Sequence, residues 1–112
     1  MARLITDDKM EAALNFLATS SEEIAAARAE RLRSEFRRKR KRAELFRKAN
    51  ESSAGLREAW AESHPEYAEA CELEALAVER DEYLRDRRNA ADAIIEAWRS
   101  EQANARAGSQ FR

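Results

Sequence analysis

The sequence predicts an all-α protein: an elongated antiparallel helical hairpin, built from two long helices and two short ones, that self-associates. Three observations lead there. Ala, Glu, Arg and Leu dominate a chain of 112 residues that is 38% charged and holds two Gly and one Pro, the composition of long helices and coiled coils. Apolar residues recur at three- and four-residue steps, with no segment at strand period and no tandem repeat. Large apolar side chains are too few for a compact globular core of this size, so narrow stripes have to be buried between helices or between copies.

The length fits a single domain, residues 1–112. Thr6 followed by Asp7 and Asp8 is a helix start with acids in the first turn. Met10, Ala13, Leu14 and Leu17 carry a short helix over about 7–18. Thr19-Ser20-Ser21 interrupts it, and Ser20 or Ser21 before Glu22 and Glu23 restarts a helix that runs over about 22–48. Its apolar line is Ile24, Ala27, Leu32, Phe36, Ala43 and Phe46, with Lys39 and Arg40 in the gap. Asn50-Glu51-Ser52-Ser53 is the next break, and Leu56, Ala59 and Trp60 mark a short helix over 54–63.

Ser63 or His64 can then cap, and Pro65 suits a first helical position. Nothing interrupts the pattern from 65 to about 104, a helix roughly 60 Å long at 1.5 Å per residue. Its stripe is Tyr67, Ala70/Cys71, Glu74, Ala77/Val78, Asp81, Leu84, Arg88, Ala91, Ile95 and Trp98. Leu73, Leu76 and Tyr83 form a second apolar edge, assigned to self-association, and residues 105–112 read as a flexible tail. The short helices are expected to close the ends of the hairpin.

A net charge of −1 conceals a strong asymmetry. Arg28 to Lys48 holds eleven cations and three acids, a local +8, whereas Glu66 to Glu82 holds seven acids and Arg80, a local −6. Such blocks form either an interaction surface or internal pairs. Arg37 to Arg42 are six consecutive cations, which at 100° each surround a helix, so some must face its partner. Pairing Phe46 with Ala70 or Cys71, and Ile24 with Ile95 or Ala91, sets the run beside Glu74, Glu79, Asp81 and Glu82. In that register Lys39 or Arg40 turns inward to Glu74 or Asp81, a polar seam that fixes register more than it stabilises. The excess cations stay outside. Arg33, Arg37, Lys41 and Lys48, with Arg38 and Arg42 beside them, are the candidate contacts to nucleic acid or a protein partner. They suit sequence-independent phosphate binding by counterion release; with Phe36 and Phe46 assigned to the core, no base stacking is expected.

Catalytic chemistry is not expected. His64 is the single histidine and fits a cap, and Cys71 is the single cysteine, which excludes an intrachain disulfide and four-cysteine zinc sites. Ser52, Ser53 and Ser63 lie at helix boundaries, where capping explains them, and Glu74 and Asp81 share a face without a pocket to work in. Neither a metal nor a cofactor is expected. The N-terminal MARLITDDKMEAAL lacks a secretory apolar core and no stretch approaches 18 apolar residues, which implies a soluble, cytoplasmic protein without a membrane partner.

The stretches RKRAELFRKANESSAGLREAWAESHPEYAEACELEALA and LRDRRNAADAIIEAWRSEQANARAG combine a basic helix, a Ser-rich turn, an HPEY helix start and a WRS…NAR ending. Over roughly residues 40–108 this order resembles small helical proteins of tailed phages and prophages, encoded near single-strand annealing recombinases. The resemblance implies a setting in phage DNA metabolism, in the cytoplasm of a bacterial host, with no assigned chemistry. The expected function is that of an accessory protein of DNA recombination or replication, binding DNA or a DNA-processing protein without catalysis. An inhibitor of a host nuclease or defence complex, using the acidic row as a DNA mimic, and a purely structural adaptor are the alternatives.

Overall fold

The computed structural model describes residues 4–110. Among them are four α-helices and no strand: α1 (Asp7–Thr19), α2 (Ser21–Lys48), α3 (Ala54–Ser63) and α4 (Pro65–Gln110). Local chemistry sets most of the boundaries. The Thr6 side chain accepts the Lys9 N–H at the start of α1, and Ser53 accepts the Leu56 N–H at the start of α3, each satisfying one of the amides that a helix start leaves without a partner. Between α3 and α4, the His64 N–H donates to Ala61 O while its Nδ1 accepts the Glu66 N–H at 3.1 Å. His64 therefore ends one helix and caps the next, and Pro65 occupies the first position of α4, where its missing N–H costs nothing.

Two boundaries differ from expectation. Ser20 does not cap α2 with its hydroxyl; it donates back to Phe16 O, and its carbonyl accepts the Ile24 N–H. The C-terminal segment is not a tail from residue 105, because α4 continues to Gln110. Ala103, Ala105 and Ala107 are strong helix formers, no proline interrupts them, and the roughly 1 kcal/mol cost of Gly108 falls near the end of the helix. Residues 111 and 112 lie outside the described residues.

The single domain expected from length resolves into two compact units, one of described residues up to Ile24 with those from Tyr83 onward, the other of Ala25–Glu82. In the first, α1 lies alongside the C-terminal part of α4. Ala13, Ala91 and Ile95 form the core, with Phe16, Leu17 and Ile94 packed against it. The Trp98 Nε1–H donates to Asp7 at 3.1 Å, and the Glu101 carboxylate accepts the Leu4 and Ile5 N–H groups. The Arg87 guanidinium sits 4.2 Å over the Phe16 ring, a cation–π contact. Leu14, expected in the stripe of α1, is exposed, and so is Arg88 of α4.

In the second unit α2 meets α4 along a mostly polar line. Among the buried or half-buried positions of α2, Ala27, Arg31, Ser34, Arg38, Lys41 and Leu45 recur at alternating four- and three-residue steps. On α4, Tyr67, Ala70, Glu74, Ala77 and Asp81 recur in the same way. Arg31 pairs with Asp81, Arg38 with Glu74 and Lys41 with Glu66, so residue numbers fall on α4 as they rise on α2, and the two segments run antiparallel within this unit. The alternating steps are those of helices packed at a small crossing angle. Alongside, α3 is held to α2 by Arg42, whose Nε and Nη2 lie 3.0 and 2.9 Å from Glu62 Oε1, and by Arg57 over the Phe46 ring.

The apolar line expected for α2 is therefore corrected. Leu32 and Phe36 do not face α4; they are 51% and 60% exposed. The energies explain the choice. Burying a Leu or Phe yields about 1.5–3 kcal/mol, but turning them inward would rotate the arginines away from Glu74 and Asp81, and a buried charge without its partner costs about 3–5 kcal/mol. That cost falls chiefly on Asp81, 3% exposed, and less on the half-buried Glu74. Among the described residues no helix is long and apolar enough to cross a membrane.

Candidate functional site: the basic face of α2

Ion pairing sorts the cations of α2 into an inward and an outward set. Arg31 Nη1 lies 3.0 Å from Asp81 Oδ2 and 2.7 Å from Glu82 Oε1. Its hydrogen bonds to Glu82 and then to Asp81 raise the guanidinium pKa above its ordinary value. Asp81 is only 3% exposed, and a carboxylate at that depth needs a partner of opposite charge. Arg38 bonds Glu74 through Nε, and that bond, followed by one to Tyr67, likewise raises its pKa. Ser34, buried between these two arginines in sequence, reaches Glu30 at 3.3 Å through its hydroxyl. The seam thus contains charge and hydroxyl chemistry where a helical pair commonly has leucine.

The residues expected to set the register are only partly those that do. Glu74 and Asp81 are seam acids, but their partners are Arg38 and Arg31, not Lys39 or Arg40. Lys39 stays on its own helix, 3.0 Å from Glu35, and this hydrogen bond lowers the Glu35 pKa from its ordinary value. Arg40 is exposed. The pairing is displaced by about one helical turn from the expected register because Phe36, placed in the seam by hydrophobicity, is outside it.

The expected outward row is corrected in the same way. Arg38 faces the seam, Arg42 is engaged by Glu62, and Lys41 lies 3.3 Å from Glu44 and 3.5 Å from Glu66. Arg37 bonds Glu30 at 2.9 Å, while Arg33 approaches the same carboxylate only at 3.8 Å and is 65% exposed. Among the described residues no carboxylate lies within ion-pair distance of Arg40, Arg47 or Lys48. Arg33, Arg40 and Arg47 are seven residues apart, so they fall on nearly one line of α2, spaced about 10.5 Å. That row could be found only after the internal pairs were known.

An open groove of about 350 Å³ runs beside this row, lined among others by Arg37, Arg40, Lys41, Glu66, Ala70 and Leu73. Leu73 and Leu76 border it and its neighbour at 47% and 54% exposure. Tyr83 is also exposed and lies in the other unit, where the Arg87 guanidinium stands 5.9 Å from its ring. No family model, curated protein or solved structure matches the chain.

The buried pair makes a specific prediction for thermal unfolding followed by circular dichroism. Arg31→Leu takes this guanidinium away from the buried Asp81 carboxylate and should lower the melting temperature most. Asp81→Leu leaves Arg31 with Glu82 and should lower it less. The double Leu variant should return to the wild-type value or exceed it, as replacing a whole buried pair with apolar side chains commonly does; equal losses in all three variants would contradict the pairing.

Proposed function

We propose that this chain is a non-catalytic nucleic-acid-binding protein, an accessory of DNA recombination or replication, that contacts phosphates through Arg33, Arg40 and Arg47. One observation carries the proposal: the cations that face carboxylates within the chain leave a collinear set of arginines on the outer side of α2. Guanidinium groups bind phosphate oxygens through a planar fork of donors. A row spaced along a straight helix follows a backbone without reading sequence. The resemblance over residues 40–108 to small phage proteins encoded near annealing recombinases supports the same setting, with the bacterial cytoplasm as its location. Among the acids that a DNA mimic would need, Glu66, Glu74, Asp81 and Glu82 have cationic partners within the chain, which favours binding DNA over imitating it.

Self-association belongs to the same proposal. Leu45 and Leu84 are the largest apolar side chains fully buried among the described residues, and alanine supplies most of the rest. Small helical proteins with so little buried aliphatic volume are marginal alone. Leu73 and Leu76 offer a second copy the apolar surface that the chain leaves open. The double variant Leu73→Glu/Leu76→Glu should sediment as a smaller species than wild type at the same concentration. A wild-type mass equal to one chain at every concentration would remove the self-association.

Phosphate contacts have a quantitative signature in salt. Each one lost should reduce the slope of log K against log salt by about 0.9 on duplex DNA and about 0.7 on a single strand. Arg40→Ala/Arg47→Ala should therefore flatten the slope by nearly two contacts while the melting temperature stays near wild type, because neither residue has a carboxylate partner. Wild-type protein that binds no DNA at low salt would refute the proposal.

A further inference from the structure

Phe36 stands at the centre of the outward face. It lies opposite the line Ala27, Ser34, Arg38, Leu45 that meets α4, and is 60% exposed. At 100° per residue, Arg33, Arg40 and Arg47 all fall within about 60° of it around the helix. Arg33 is about 4.5 Å below it along the axis and Arg40 about 6 Å above. An aromatic ring in water between two arginines with little or no carboxylate contact is the pairing that single-stranded nucleic acid requires: guanidinium groups for phosphates and a π-face for a base.

We infer that Phe36 is a base-stacking residue and that the Arg33–Phe36–Arg40 face binds single-stranded nucleic acid in preference to duplex. The inference rests on the phosphate contacts proposed above and adds the form of the ligand. In a duplex the base faces are stacked on one another, and a side chain on a straight helix reaches them only by unstacking a step, at a cost of a few kcal/mol. A single strand turns its bases outward without that cost. Duplex can therefore use the arginines alone, whereas a single strand uses the arginines and the ring.

A second copy is the competing occupant, since Leu32 at 51% exposure continues the apolar surface one turn away. Charge argues against it. A two-fold interface centred on Phe36 sets the same patch against itself, bringing Arg33, Arg40 and Arg47 toward their own copies with no acid within ion-pair reach of Arg40 or Arg47. A polyanion meets the same surface with complementary charge.

The test measures fluorescence anisotropy of a labelled oligothymidylate and of a duplex of equal length at low salt, with wild type, Phe36→Ala and Phe36→Tyr. Circular dichroism establishes that each variant is folded, as expected for a substitution at an exposed position. Wild type should bind the single strand more tightly. Phe36→Ala should weaken that binding on the order of tenfold, the loss of one stacked base, and leave duplex affinity unchanged; Phe36→Tyr should retain the preference. Equal wild-type affinity for both forms, with Phe36→Ala weakening neither or both alike, overturns the stacking role and leaves the phosphate contacts standing. Binding to neither form removes both. A smaller sedimenting species for Phe36→Ala, with oligothymidylate affinity unchanged, also overturns it and assigns the face to a second copy.

Discussion

The buried carboxylate of Asp81 is the constraint from which the arrangement of the second unit follows. An acid 3% exposed on the inner line of α4 obliges the facing helix to present a cation, and α2 does so with Arg31. Seven residues away on each helix the demand repeats between Glu74 and Arg38. Two such pairs on one heptad line fix both the rotation of α2 about its axis and its position along α4. A seam of this kind contributes little net stability compared with an apolar one; its effect is to exclude other registers.

From that rotation the outer face of α2 is already determined. With Ala27, Arg31, Ser34 and Arg38 inward, the opposite side holds Leu32, Phe36, Arg33, Arg40 and Arg47, all exposed. The basic run therefore has two chemistries that differ by position around the helix and not by residue type. Its inward members are fixed in direction by carboxylates across the seam and have raised pKa values from those hydrogen bonds. Of its outward members, Arg40 and Arg47 have no carboxylate within ion-pair distance among the described residues, and Arg33 approaches one only at 3.8 Å. The excess of cations over acids in the segment Arg28–Lys48 is thus concentrated on the surface most removed from α4.

Most helix limits and the inner line of α4 are legible in the sequence because their causes are local. Thr6, Ser53, His64 and Pro65 act on amides within a few residues of themselves, and Ala77, Asp81, Leu84, Ala91 and Ile95 keep one period within a single helix. The phase of α2 could not be read in the same way. Its most hydrophobic line, through Leu32 and Phe36, competes with a polar line through Arg31, Ser34 and Arg38, and the winner is decided by acids 36 and 50 residues further along the chain. Hydrophobic periodicity counts transfer energies one helix at a time and gives no weight to a carboxylate on a partner. For the same reason hydrophobic periodicity places Phe36 in the core and Arg37 and Lys41, with Arg33 and Lys48, in the outward row, although Arg37 and Lys41 have carboxylate partners.

The pairing across the seam is measured most directly by a charge exchange at Arg38 and Glu74. Arg38→Glu and Glu74→Arg each set like charges together on adjoining helices, and each alone should lower the stability to chemical denaturation. Combined, they restore an opposite-charge pair in reversed order and should recover most of the loss, giving a coupling energy of about 1–3 kcal/mol. Losses that simply add in the double variant would mean that these two side chains do not meet, and that the register of α2 on α4 is set by something else.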